Sequence, residues 1–133
     1  MSDTKTTKKI TTLNIQINVA VVYVPQESDP EKRNYFFAYK ISIKNLGQSS
    51  AQLMSRHWII TDAFNRVEEV RGPGVVGLQP KINPQGSFEY ESACPLTTNT
   101  GSMRGFYHFQ TEDGETIAVE IPEFYLVAPQ AVH

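Results

Sequence analysis

The sequence is short of the features on which several classes of protein depend. It has one cysteine, Cys94, in 133 residues, so it cannot form an internal disulfide and a reducing compartment is expected. Its longest unbroken apolar run, residues 19–24, is far shorter than the ~20 residues that span a membrane. Its 12 basic and 14 acidic residues give a net charge of −2, which argues against a dedicated nucleic-acid binder, since such domains are usually strongly basic.

Residues that mark metal sites and catalytic centres are also scarce. The histidines, His57, His108 and His133, are far apart in the sequence and lack the close Cys/His spacing of a structural zinc site. No G-x-S-x-G motif surrounds a serine, and Cys94 has no sequence sign of an activating base. We therefore expect no bound metal, no cofactor and no enzymatic activity.

The amino-terminal residues are rich in threonine and lysine and lack the apolar core of a secretory signal. We expect residues 1–9 to form a flexible tail, residues 10–128 to form a single β-sandwich domain, and residues 129–133 to form a carboxy-terminal tail.

Apolar and polar residues alternate through most of the chain, which predicts β-strands. Prolines and turn residues separate the strands: residues 93–101 are predicted to be a loop, and Pro122 is predicted to interrupt the last strand. About seven to eight short strands favour an all-β antiparallel sandwich of the immunoglobulin or fibronectin type III kind, with Trp58 in its core. The predicted strands are residues 13–24, 35–46, 52–62, 66–70, 87–93, 105–111 and 115–121.

Residues 71–86 contain four of the eight glycines and three of the eight prolines. Gly72, Gly74 and Gly77 fit G-x-G-x-x-G, but no helical pattern follows them, so a dinucleotide site of the Rossmann type is disfavoured. Two interpretations stay open. In one, the glycines permit a tight crossover loop. In the other, backbone N–H groups around them, together with Arg71, form a nest that binds a phosphate or nucleotide anion.

Aromatic residues stand side by side on two predicted strands, as Phe36–Phe37 and Phe106–Tyr107. Neighbouring residues of a strand point to opposite faces, so both members of a pair cannot enter one core. In one interpretation, some of these four residues line an exposed apolar groove that binds a protein partner. In the other, a central strand is covered on both faces.

Several sequence blocks, taken in order, resemble the ApaG family. The resemblance covers residues 13–128 and is far more specific than the glycine triplet alone. The blocks are R-H-W-x-I-x-D (56–62), V-x-G-x-G-V-V-G (70–77), F-x-Y-x-S (88–92), G-S-M-x-G-x-Y-x-F (101–109) and I-P-x-F-x-L (121–126).

The resemblance implies an immunoglobulin- or fibronectin-like β-sandwich and a small cytoplasmic protein associated with cobalt resistance and magnesium efflux. Related domains in eukaryotic F-box proteins look like protein-interaction modules, and the family supplies no catalytic residues to carry over. The sequence therefore predicts a non-enzymatic module that acts through an unidentified protein partner. The alternative is a phosphate or nucleotide sensor that binds its ligand through residues 72–77.

Overall fold

The alternating segments form eight β-strands in a computed structural model that describes residues 13–129. The all-β prediction is confirmed, and the immunoglobulin or fibronectin type III assignment stays a prediction. Apart from Pro129, the two predicted tails lie outside the described residues. Two short 3-10 helices, Pro25–Glu27 and Pro30–Lys32, occupy the connection between β1 and β2. The strands are β1 (Ile15–Tyr23), β2 (Tyr35–Asn45), β3 (Ala51–Asp62), β4 (Val67–Pro73), β5 (Lys81–Ile82), β6 (Ser87–Leu96), β7 (Thr100–Thr111) and β8 (Thr116–Val127).

The strands form two antiparallel sheets. One sheet has the order β1-β2-β6, and the other has the order β4-β3-β7-β8, with β5 paired to the start of β3. On one side of the molecule β1 contacts β8, so the two sheets meet at that edge. The edge strands β6 and β4 bound the opposite side.

Two edge strands pass through prolines, which corrects two predicted boundaries. β6 continues through Pro95 into the predicted loop, and β8 continues through Pro122 to Val127. Proline has no N–H to donate to a neighbouring strand, so a sheet tolerates it at an edge or a bulge. The β7–β8 register shifts opposite Pro122, where Met103 pairs with Phe124 and Gly105 pairs with Ile121. This bulge accommodates the proline within the strand.

The core between the sheets is centred on Trp58, which is buried as predicted. Its ring packs edge-on against Tyr39, Tyr107 and Phe124, at centroid distances of 5.7, 6.2 and 5.8 Å. Aromatic pairs of this geometry contribute about 0.5–1.5 kcal/mol each beyond the burial of their area. Other fully buried side chains include Ile41, Ile43, Leu53, Phe109, Ile121 and Leu126.

The core also contains two of the four aromatic residues that the groove interpretation places at the surface. Phe37 and Tyr107 are 0% exposed, so they cannot contact a partner. Phe36 and Phe106 are partly exposed, but they lie on the outer faces of different sheets because each alternates with a buried neighbour. The predicted groove is corrected accordingly, since the four residues do not share a surface.

Candidate functional site

The glycine-rich segment forms a tight turn after β4. Val75 and Leu78 form a bridge whose two N–H···O=C bonds are 2.8 and 2.9 Å long. Between them, Val76 (φ 43°) and Gly77 (φ 81°) both have positive φ, as the central residues of a type I′ turn require. Gly74 precedes the turn with φ +59°, and a Cβ there would stand 2.1 Å from the Leu78 carbonyl oxygen. Gly74 therefore permits a close approach of two backbone segments.

Several backbone N–H groups of this turn already have protein acceptors. The Gly74 N–H donates to the Met54 carbonyl at 2.8 Å, and the N–H groups of Val75 and Leu78 donate to each other's carbonyls. A phosphate nest requires successive N–H groups to converge on the ligand instead. The geometry of the turn thus favours the loop interpretation of the glycines over the nest interpretation.

Arg71 lies on the outer face of the second sheet, opposite His57 in the β3–β4 register. Its side chain is 70% exposed, and its Nη2 lies 3.3 Å from Glu69 Oε1. The His57 Nε2 lies 2.8 Å from the same oxygen. The hydrogen bond from His57, aided by the charge of Arg71, lowers the pKa of the Glu69 carboxyl against its desolvation. The hydrogen bond given for the Arg71 side chain thus goes to Glu69 and not to the turn, in which Gly74 is buried.

Arg56 is the charged residue beside the turn that the sequence analysis misses. Its Nη1 donates to the carbonyls of Pro73 and Gly74, both at 3.0 Å. Its guanidinium packs on Gly72, where a Cβ would stand 3.0 Å from both terminal nitrogens. Arg56 thus fastens the end of β4 to β3. One feature of the sequence points to the inward direction of Arg56. It is two residues from Trp58 in the same strand, so both side chains face the same side.

The single thiol of the chain lies buried on β6. Burial, and then the charge of Glu68, raise the pKa of Cys94 to about 11, so the thiol is almost wholly protonated at neutral pH. Among residues 13–129, no group of three His, Cys, Asp or Glu side chains is placed to hold a metal ion. None of the helices in that range has the length and apolar character needed to cross a membrane.

A basic and partly apolar surface lies at one end of the sandwich, where the β1–β2, β3–β4 and β6–β7 connections meet. It encloses an open depression of about 800 Å³. Phe64 is 71% exposed there, and the guanidinium carbon of Arg66 lies 5.1 Å from the centre of the Phe64 ring. This surface, which we call the basic end, consists of Lys32, Arg33, Tyr35, Ala63, Phe64, Arg66, Thr97, Thr98 and Asn99.

The tight turn between β3 and β4 fixes the position of Phe64. Asp62 Oδ1 accepts the N–H groups of Phe64 and Arg66, at 2.8 and 3.0 Å, and Oδ2 accepts Arg66 Nε at 2.7 Å. Desolvation raises the pKa of Asp62, but these hydrogen bonds outweigh it and leave the pKa below its ordinary value. Within residues 13–129, Arg66 is paired with Asp62, whereas Lys32 and Arg33 make no ion pair.

Comparison with known proteins assigns the chain to a family. The sequence model of the ApaG domain matches residues 25–111. The chain is 65% identical over 120 residues to Protein ApaG of Bdellovibrio bacteriovorus, an alignment that covers 90% of this chain and 94% of the relative. It is 52% identical over 119 residues to Protein ApaG of Dechloromonas aromatica, with the same two coverages.

Solved structures agree with this assignment. A crystal structure of a Bordetella pertussis protein named ApaA is similar to this fold with a TM-score of 0.85 at 50% sequence identity. The match covers 89% of this chain and 96% of that one. Because the family model spans more than half of the sequence and the relatives align over most of their length, the chain belongs to the ApaG family.

Proposed function

We propose that this protein is a non-enzymatic binding module that recognises an acidic, partly apolar segment of a protein partner at the basic end. The observation that carries this proposal is the side chain of Phe64, which is 71% exposed beside three cationic residues. Aromatic side chains, phenylalanine among them, and arginine are enriched in protein interfaces. Because hydrogen bonds already order the backbone of this turn, binding there costs little backbone conformational freedom.

Charge complementarity selects the kind of partner. Lys32 and Arg33 have no carboxylate partner among residues 13–129, while the whole chain has a net charge of −2. The charged side chains that line the basic end are thus all cationic, although the chain as a whole is slightly acidic. Such a patch attracts acidic segments and disfavours basic ones, most strongly at low salt.

The family supplies the biological setting of the proposal. Its association with cobalt resistance and magnesium efflux leads us to infer that this protein influences divalent-cation homeostasis from the cytoplasm, through the partner it binds. The raised pKa of the buried Cys94 thiol argues against Cys94 as a catalytic nucleophile. We infer further that residues 10–128 act as a single binding domain.

An amide-resolved NMR titration with a designed peptide of alternating glutamate and leucine tests the proposal. We expect saturable shifts at residues 32–35, 63–66 and 97–99 that weaken as salt is added. A peptide with lysine in place of glutamate should leave these amides unchanged. Equal shifts with both peptides, or shifts that avoid the basic end, would contradict the proposal.

A pair of matched variants sharpens this test. Phe64→Ser should weaken binding of the acidic peptide about ten-fold, as expected for loss of an aromatic anchor. Leu78→Ser is the control, because Leu78 is also an exposed apolar residue but follows the far end of β4. If Phe64→Ser binds as tightly as Leu78→Ser, Phe64 is not the anchor and the proposal fails.

Phosphate or nucleotide binding at residues 72–77 is the alternative function, and the occupied N–H groups of the turn give it less support. An amide-resolved NMR titration with pyrophosphate and with ATP, with and without Mg²⁺, tests this alternative. Saturable shifts confined to residues 71–77 would favour this alternative over the basic end.

A further inference from the structure

A cleft of about 370 Å³ opens between the two sheets on the side where β4 and β6 are edge strands. The opposite side is closed by the contact of β1 with β8. The turn at residues 74–78 borders the cleft and contributes Val75 to its wall. We call this space the edge cleft. Its volume is within the range of sites that bind small organic molecules.

Arg56 is the cationic residue that lines the edge cleft. Its Nη1 is engaged by the Pro73 and Gly74 carbonyls. Its remaining N–H groups, on Nε and Nη2, have no acceptor among the described residues, and it makes no ion pair there. These N–H groups are reached by solvent, since no buried side-chain nitrogen or oxygen of residues 13–129 lacks a partner. The planar fork of a guanidinium matches a carboxylate or phosphate.

Hydroxyl groups also line the edge cleft. Tyr39, Tyr90 and Ser92 line it, and the Tyr90 hydroxyl is hydrogen-bonded to that of Tyr107 behind it. These hydroxyls are hydrogen-bond donors of the kind that orient an oxyanion in an apolar pocket. The edge cleft thus combines one fixed cation with neutral donors.

The rest of the edge cleft determines the shape of its ligand. Trp58, Val70 and Met103 form an apolar wall suited to an aromatic or aliphatic body. Glu68 also lines the cleft, four residues from Gly72 along β4 and therefore roughly 13 Å from the Arg56 end. Its negative charge disfavours a second anionic group at that distance, so a ligand with a single anionic end fits best.

We propose that the edge cleft binds a small organic anion. Its carboxylate or phosphate accepts N–H groups of Arg56, and its apolar body lies against Trp58 and Val70. This site is separate from the basic end and from the outer-face position of Arg71.

Trp58 provides the measurement, because it is the only tryptophan of the chain and it lines the cleft. Benzoate and phenyl phosphate are the probes, and neutral benzamide is the control of equal shape. We expect a saturable change in tryptophan fluorescence with at least one anionic probe and not with benzamide. The tighter of the two probes identifies the class of oxyanion. The proposal is overturned if neither anion gives a saturable change below about 10 mM, the weak end of small-molecule binding, or if benzamide binds equally well.

Variants test whether the anion binds at Arg56 in the edge cleft or at another positive charge of the protein. Arg56→Met should weaken anion binding about ten-fold or more, because a charge-assisted hydrogen bond is lost. Arg56→Lys, which keeps the positive charge, should bind the anion more tightly than Arg56→Met. Arg71→Met, which removes an exposed arginine, should have no effect. Because Arg56 also fastens the turn, Val70→Phe serves as a second variant that fills the cleft and leaves Arg56 in place, and it should abolish binding. Loss of binding in Arg71→Met, or unchanged binding in Val70→Phe, overturns the assignment.

Discussion

Separate replacement of Gly74 and Gly77 by alanine tests whether the glycines of the turn serve its architecture. Both residues have positive φ, +59° and +81°, so each alanine is placed in the left-handed region. The surroundings differ, however. A Cβ on Gly74 meets the Leu78 carbonyl oxygen at 2.1 Å, whereas a Cβ on Gly77 meets nothing within 4 Å.

The two costs can be worked out from these contacts. Left-handed backbone costs a residue with a Cβ about 1–2 kcal/mol, and this is the whole expected effect of Gly77→Ala. Gly74→Ala must also relieve the overlap with the Leu78 carbonyl by opening the Val75–Leu78 bridge. That bridge contains two backbone hydrogen bonds, each contributing about 1 kcal/mol net. The total for Gly74→Ala is therefore about 3–4 kcal/mol.

Urea unfolding followed by Trp58 fluorescence measures both free energies. With an m-value of about 1.5 kcal/mol/M, the unfolding midpoint falls by about 1 M for Gly77→Ala and about 2 M for Gly74→Ala. Equal midpoints in the two variants would refute the reasoning, because the contact of a Cβ at position 74 with the Leu78 carbonyl would then cost no stability. A larger loss for Gly77→Ala would refute it as well.

Two further predictions concern ionisable groups. Because the hydrogen bonds it accepts hold the pKa of Asp62 low, its carboxylate stabilises the fold at neutral pH, and this contribution is lost as the pH falls through the lowered pKa. Asp62→Asn should therefore flatten the decline of the urea midpoint between about pH 5 and pH 2, and an unchanged decline would contradict this. The Cys94 thiol, with its pKa raised to about 11, should react with iodoacetamide at pH 8 at least about 100-fold more slowly in the folded protein than in urea. Mass spectrometry of the alkylated chain measures both rates, and rates within a few-fold of each other would contradict the prediction.

The periodicity of the sequence predicts most of the strands. It misses β5 and the first residues of β7, and two of its other boundary errors have a common physical cause. Pro95 and Pro122 look like strand ends because proline cannot donate a ladder hydrogen bond. Both lie inside strands that occupy sheet edges, β6 and β8. Whether a strand is central or at an edge depends on pairing between segments distant in sequence. Local patterns therefore cannot decide how a proline in a strand is accommodated.

The inward-facing residues of β3 show a similar limit. Strict alternation puts Met54 on the face of Trp58 and Leu53 on the other face. In the structure Leu53 is fully buried, because the pairing with β7 shifts between Leu53 and Ser55 and this bulge exchanges the faces. Arg56, beyond the bulge, keeps the predicted parity with Trp58. Its inward direction was predictable, but its contacts with Pro73 and Gly74 depend on the path of the turn.

The basic end could not be predicted from any single segment. Its cationic and aromatic residues come from three connections that the sequence shows as separate loops. Antiparallel pairing reverses the chain at each connection, and the sheet order then decides which reversals share an end. Only this topology brings Lys32 and Arg33 near Phe64 and Arg66.

The strand β3 connects the two proposed binding surfaces, the basic end and the edge cleft. It is paired on both sides, with β4 and β7, so its backbone is among the most constrained in the fold. It carries Arg56 near its middle and Asp62 at its end, and each residue fastens a different turn. At the basic end the connections supply the groups proposed to meet the ligand, whereas in the edge cleft Arg56 on the strand itself does so. Since Arg56 and Asp62 lie six residues apart along β3, roughly 20 Å by strand geometry, substitutions at the two sites should have additive effects on the free energy of unfolding.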